Sequence, residues 1–527
     1  MTPSETRSMR LSDGTRLDAS IWRPSGPGPH PVLLMRQPYG RAIASTVTLA
    51  HPAWYAAQGF IVVVQDVRGA GSSEGHFIVY ANEAEDGAEA VAWAAGLPGS
   101  SGRVGMYGFS YQGASQLLAA SQAPAALGAI TPSMSVWDVY AEKSADGGAF
   151  AMAGCGGWAA QMGALEARRR GDVAGHAALT AWTNAPRYDG TTPACPEILA
   201  RTADQHHYEE WRSRPPGDPY WGRVSPSRRI DPTRFAVPAL HSGGWFDYNL
   251  SGTWGGYHAL AGVAAAPQAL VIGPWTHLAW APRQSGQDFG PAALGDMDAL
   301  HIAWFDWALK GRGGPPVVGA RVFDLGTKAW RDFPAWPRTL PHRLHLAGDG
   351  RVAVREGALS GQSAAASTER FVHDPYRPVP STPPLMDRSE IDQRTDVLAF
   401  TGTPLAAPLT ILGVVRVELA MAADAPSFDV SAVLSVVRPD GRAMVLTSGY
   451  RHVPDGGSVV VEMTPTCITL APGERLRLSI AGAAFPAYPV NPGTGTDPRA
   501  ATAMETVPIF YELHTQDSAL VLPRLPG

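Results

Sequence analysis

The sequence predicts an α/β core, interrupted by a helical insertion and followed by an all-β sandwich or jelly roll. Three textures carry that prediction. Short apolar runs alternate with helix-patterned stretches over residues 1–138 and again over 233–340. A stretch rich in Ala, Arg and aromatics fills 139–232. From 341 to 527, strand-like runs follow one another between Gly, Pro and Asp turns, without helical spacing. At 527 residues the chain is too long for one core and suggests two to four domains.

The elements read as follows. "MRLSDGTRLDASIWRP" alternates apolar and polar residues around Asp13-Gly14, a hairpin signal. "VLLM" and "GFIVVVQDVRG" are continuous apolar runs, the pattern of strands buried on both faces. "NEAEDGAEAVAWAAGL" has helical spacing, and "GRVGMYGFS" returns to strand. Within the insertion, "GWAAQMGALEARRRG" and "ADQHHYEEWRSR" are helical patches, while "PPGDPYW" and "RIDPTRF" read as loops. The α/β rhythm resumes with "FAVPALHSGGWFDYN", "PQALVIGPWTHLAW" and the amphipathic "MDALHIAWFDWALKG". "PHRLHLAGDGRVAV" then opens the run of strands. No 20–50-residue repeat and no low-complexity tract is present.

Composition narrows the function classes. Hydrophobic residues at 45% and charged residues at 17% describe a globular chain with ample core material. The net charge is only −5 and no Lys/Arg block stands out, which argues against nucleic acid or an anionic membrane as partner. The first residues carry no apolar signal-like run and no later run approaches a membrane span, so a cytoplasmic protein is expected. Cys155, Cys195 and Cys467 are far apart, follow no metal spacing and fit reduced structural thiols. Sixteen Trp and 47 Pro suggest many loops and aromatic-lined surfaces.

The chemistry centres on "YGFSYQGAS", where Ser110 stands between an apolar strand and a helix. Gly108 permits a sharp turn and Gly113 a close helix–strand approach. Such an elbow holds a serine hydroxyl clear of the sheet and aims the following N–H, from Tyr111, at the same point. Gln112 occupies the place of the second glycine in G-x-S-x-G, so a purely structural turn stays open on this pattern alone.

A serine nucleophile needs a base and an orienting acid, which in the α/β-hydrolase architecture follow it on later strand ends. Asp247 after "VPALHSGGWF" and His277 after "ALVIGPWT" meet that order. The rival reading of Asp247 is a helix cap. His241 and His258 are rival bases, the first inside a predicted strand and the second inside a predicted helix. Tyr39, in the loop "RQPYGR", offers a phenol as second oxyanion donor, against a packing role under the insertion. Asp66 and Arg68 in "QDVRGAGSSEG" read as a structural ion pair shaping the floor of the site.

These segments, with "EAEDGAEAVAW", "GRVGMYGFSYQGAS", "GGWFDYN" and "GPWTH", resemble the cocaine esterase / X-Pro dipeptidyl-peptidase (S15-type) group of serine hydrolases. That group also holds α-amino acid ester hydrolases and glutaryl cephalosporin acylases. The resemblance implies an elbow of the form G-x-S-Y-x-G, an oxyanion tyrosine at Tyr39, and an acid and base at Asp247 and His277. It implies an α/β-hydrolase core with a helical cap, and a C-terminal jelly roll opening at "DQRTDVLAFTGTPLAAPLTILGVVRVEL". Members that recognise an α-amino group use carboxylates near the site, and α-amino acid ester hydrolases carry acids shortly after the triad aspartate, where this chain has Asn249 and Leu250.

The expected protein is a serine carboxylesterase acting through an acyl-enzyme on a small-molecule ester or amide, with no metal or organic cofactor. A homo-oligomer is compatible with this reading. X-Pro dipeptidyl-peptidase or α-amino acid ester hydrolase activity is the alternative, with Glu209, Glu210 or Asp146 supplying a negative group. Acyl transfer on the same triad, or a carbohydrate-binding protein with an inert core, are further alternatives.

Overall fold

The computed structural model describes residues 3–42, 46, 48–363, 365–454 and 457–526. Residues 1–2 and 527, at the ends of the expected first and last segments, lie outside the described residues.

The hairpin around Asp13-Gly14 forms as β1 (Glu5–Arg10) and β2 (Arg16–Trp22), paired antiparallel. The continuous apolar runs become β3 (His30–Gln37) and β4 (Ile61–Asp66), buried along nearly their whole length. β5 (Ser100–Phe109), β6 (Leu127–Ser133), β7 (Ala239–Gly244) and β8 (Gln268–Gly273) complete a parallel series. The sheet order is β1-β2-β4-β3-β5-β6-β7-β8, extended by strands Gly319–Asp324 and Ala329–Phe333. Parallel strands must be joined by crossovers, and these put helices on both faces. Helices α1 (Pro52–Ala57) and Met297–Lys310 pack on one face through Tyr55, Trp304 and Phe305. Helices α2 (Glu83–Ala95) and α3 (Tyr111–Ala120) pack on the other through Ala90, Val91 and Leu117. This is an α/β-hydrolase core.

Between β6 and β7 the chain leaves the sheet and forms α4 (Met152–Arg170), α5 (Val173–Asn184) and several short helices. "ADQHHYEEWRSR" supplies a 3-10 turn (Ala203–Gln205) and a short helix (Tyr208–Ser213), and "RIDPTRF" a 3-10 turn (Pro232–Arg234). "PPGDPYW", expected as a loop throughout, instead starts a short helix, Pro219–Val224. The reason is local: Asp218 accepts the Tyr220 N–H at 2.8 Å, and Pro219 has its φ preset for the first helical position. The insertion shares one core with the elbow region: Phe150, Cys155, Tyr208 and Trp211 pack with Tyr80 and Tyr111. All three cysteines are free, and Cys155 and Cys467 are buried. Among the described residues no helix is long and apolar enough to cross a membrane.

From Leu340 onward the chain is a domain of paired strands. Its core is continuous with the end of the hydrolase sheet. Leu270, Val322 and Phe323 of the sheet pack in one cluster with Ile411, Leu412, Val417 and Leu470 of the strand domain.

A polar joint reinforces the contact. The buried Asp324 carboxylate accepts the Thr469 N–H at 2.8 Å, the Thr469 hydroxyl at 2.5 Å and Arg331 Nε at 2.8 Å. Asp324→Ala leaves those donors without their acceptor. Breaking a fully buried pair from one side costs about 3–5 kcal/mol, and less here because Arg331 reaches solvent. Calorimetry is expected to show a lower apparent Tm; an unchanged one would mean the apolar contact holds the two parts unaided.

Candidate active site

The site is built on the turn between β5 and α3. Gly108 has φ +136, and a Cβ there would meet Gln112 Cβ at 2.5 Å, so the approach to the turn requires glycine. Ser110 itself has φ +59, uncommon for a residue with a side chain. Its N–H donates to Ser133 O at 2.8 Å, tying the turn to the end of β6. Gln112, in place of a second glycine, accepts the Phe109 N–H at 3.1 Å. Beneath the turn, the Tyr111 hydroxyl donates to Glu83 at 3.0 Å, and Arg36 donates to Glu83 at 2.6 Å. Burial pushes the Glu83 carboxyl up, and the Arg36 charge opposes it.

Asp247 and His277 lie on the loops after β7 and β8. These loops are laced together by Trp245 N–H to Gly273 O at 2.9 Å and Phe246 N–H to Trp275 O at 3.0 Å. Gly244 allows the approach, since a Cβ there would overlap the Trp275 carbonyl. His277 Nδ1 lies 2.7 Å from Asp247 Oδ1, and His277 Nε2 lies 3.0 Å from Ser110 Oγ. Asp247 is 4% exposed and His277 9%. Asp247 does not cap the following helix: Asn249 holds the N-cap position, and its N–H donates to Asp247 Oδ1 at 3.0 Å. His241 stays in β7, where it meets Gln268 at 3.3 Å, and His258 stays in helix Leu250–Leu260 between Trp254 and Trp336.

Tyr39 stands across Ser110. Burial pushes its phenol up to about 12, with hydrogen bonds to Trp158 and Ser110 pulling the other way. The phenol therefore keeps its proton at neutral pH and can donate it. The Tyr111 N–H heads α3, where the first amides of a helix have no acceptor within it.

One expectation is corrected. Asp66 and Arg68 are not paired with each other. Asp66 accepts from Arg41 at 2.5 Å, whereas Arg68 donates to Asp86 and Asp13, both at 2.7 Å. Asp66 ends β4 facing the Tyr39 loop, and the chain has turned by Arg68 toward α2 and the β1–β2 turn.

Three neighbours carry no signal in the sequence. The Tyr248 ring lies on His277 with centroids 4.1 Å apart, and Tyr248 is 66% exposed. Trp158, from α4, reaches the Tyr39 hydroxyl. Lys143 donates to Asn249 Oδ1 at 2.7 Å. A cavity of about 590 Å³ opens beside Tyr39, lined among others by Phe77, Ile78, Met162, Leu165 and His207. Among the described residues no group of three or more His, Cys, Asp or Glu is arranged to hold a metal ion.

The family model described as X-Pro dipeptidyl-peptidase (S15 family) matches residues 13–279. The chain belongs to the X-Pro dipeptidyl-peptidase (S15) family. A model of that family's C-terminal non-catalytic domain matches residues 316–521. A cocaine esterase from Rhodococcus sp. is 30% identical over 530 residues, covering 92% of this chain and 91% of its own length. An aminopeptidase from a marine sediment archaeon, Thaumarchaeota archaeon, superposes with TM-score 0.83 at 21% identity, over 99% of this chain and 96% of its own. An α-amino acid ester hydrolase superposes with TM-score 0.74 at 20% identity, over 99% and 96%. These two share the fold. As a member of the S15 family, the protein is a serine hydrolase.

Tyr39→Phe tests the phenol. It keeps the ring and removes the donor, so turnover is expected to fall about a hundred- to a thousandfold with Tm unchanged. Wild-type turnover would reduce Tyr39 to a packing residue.

Proposed function

We propose that the protein is a serine esterase for uncharged carboxylic esters, working through an acyl-enzyme on Ser110. The observation that carries this is the unbroken line from Ser110 Oγ to His277 (3.0 Å) and on to Asp247 (2.7 Å). His277 Nε2 takes the Ser110 proton as Oγ bonds to the ester carbonyl carbon. Asp247 orients the ring and stabilises its cation. The Tyr39 hydroxyl and Tyr111 N–H hold the developing oxyanion. His277 then returns the proton to the departing alcohol oxygen. A water, deprotonated by the same nitrogen, releases the acid and restores Ser110. The cavity beside Tyr39 has room for one substantial substituent of the small-molecule substrate.

The same reading divides the chain into a hydrolase core (1–138 and 233–340), a helical cap (139–232) and a C-terminal jelly roll (341–527). The insertion's position over the elbow and the run of strands after Leu340 support it. A cytoplasmic location belongs to the same reading, supported by the three free cysteines. Ester cleavage agrees with the name of the Rhodococcus relative.

Charge favours this over an aminoacyl or X-Pro substrate. Asn249 and Leu250 stand at the positions after Asp247 where, on the resemblance above, α-amino acid ester hydrolases carry acids. The three acids first considered for a negative group each have a partner: Glu209 pairs with Arg212 at 2.8 Å, Glu210, which lines the cavity, lies 3.6 Å from Arg214, and Asp146 accepts the Tyr488 hydroxyl at 2.5 Å. A buried cation without a counter-charge carries a desolvation cost that a neutral methylene avoids.

Ser110→Ala is expected to abolish hydrolysis of p-nitrophenyl esters and labelling by a fluorophosphonate, a loss on the order of a millionfold in turnover. Retained activity would refute the nucleophile. Butyryl esters should exceed the matching alanyl esters in kcat/KM below the amine's pKa. A clear preference for protonated alanyl esters would favour the aminoacyl alternative.

A further inference from the structure

We infer that Lys143 is a positioning residue for Asp247, acting through Asn249; this rests on the triad reading above. Asp247 Oδ1 takes both donors, His277 Nδ1 and the Asn249 N–H, while Oδ2 is buried without a hydrogen-bond partner among the described residues. The carboxylate is therefore aimed by the peptide of Asn249, and whatever fixes residue 249 fixes the acid.

Asn249 is held from two sides. Its Nδ2 donates to Met134 O at 3.0 Å, at the end of β6, and its Oδ1 accepts Lys143 Nζ at 2.7 Å. An ammonium group only donates, so it selects the amide orientation that leaves Nδ2 for Met134. Asn249 also forgoes its usual role. It holds the N-cap position of helix Leu250–Leu260, yet its side chain makes no cap bond. The Lys143 ammonium further lies 5.3 Å over the Tyr248 ring, the ring that covers His277. One side chain thus braces the acid loop at two successive residues.

Lys143 is itself anchored. Its carbonyl accepts the Ala151 N–H at 3.0 Å, and the Ser144 hydroxyl donates to Trp211 O at 2.8 Å. Further along the same segment, Asp146 accepts from Tyr488, and the Gly147 carbonyl accepts the His452 N–H at 2.9 Å. The acid loop is therefore referenced to the insertion and, through it, to the C-terminal strands.

The test compares Lys143→Met, Lys143→Arg, Asn249→Leu and the Lys143→Met/Asn249→Leu double variant on a p-nitrophenyl ester that Ser110→Ala does not cleave. Lys143→Met should lower kcat about ten- to a hundredfold with KM unchanged. Lys143→Arg, which keeps charge and donors, should restore most of it. The double variant should be no slower than the slower single, because both act on one path. The low-field proton resonance of the His277–Asp247 hydrogen bond should move or broaden in Lys143→Met and persist in Lys143→Arg. Wild-type kcat with an unmoved resonance would overturn the inference, as would a rise in KM alone or additive losses in the double variant. Should Lys143→Met fail to fold, Asn249→Leu carries the kinetic and spectroscopic readouts by the same criteria. If Ser110→Ala proved active, the triad reading would fall first.

Discussion

Ser110 keeps a left-handed backbone that costs on the order of 1–3 kcal/mol, and the surrounding structure is what makes it persist. The turn is gripped at three points: Ser133 O holds the serine amide, Gln112 holds the preceding amide, and Glu83 holds the Tyr111 phenol. Each grip comes from a different element. The elbow can therefore relax only if β6, α2 and α3 move together, which the close packing of the sheet opposes.

The remaining parts of the site are ordered by distance from that turn. The loops carrying Asp247 and His277 fix each other through main-chain bonds, so their registry does not depend on long side chains. The insertion contributes aromatic surface and hydrogen-bonding partners, Trp158 on one side and Lys143 on the other. The C-terminal strands touch no residue of the proposed triad by hydrogen bond among the described contacts, yet they hold the segment that carries Lys143.

Much of this is legible in the sequence for a physical reason. Parallel strands buried on both faces leave unmistakable apolar runs, and residues just past their ends must meet at one rim of the sheet. Ser110, Asp247 and His277 can be placed by that logic. The insertion resists it, because helical spacing marks some of its helices but not what they pack against, and its contacts span long stretches of chain. Lys143 and Asn249 are 106 positions apart, and nothing local marks either as a partner of the other. Asp66 and Arg68 illustrate the opposite error. Nearness in sequence suggests a pair, whereas the end of β4 sends the two side chains to different neighbours.

The long strand Ile509–Arg524 pairs with Leu340–Ala347, Thr368–His373 and Arg416–Ala423, and touches Leu409–Gly413. All of its partners precede it in the chain and are therefore made earlier during synthesis. They must wait with unpaired edges until it emerges, a delay that loop-closure entropy lengthens. Closure of this sheet thus comes late in assembly, and the interval before it leaves strand edges open to association with other copies.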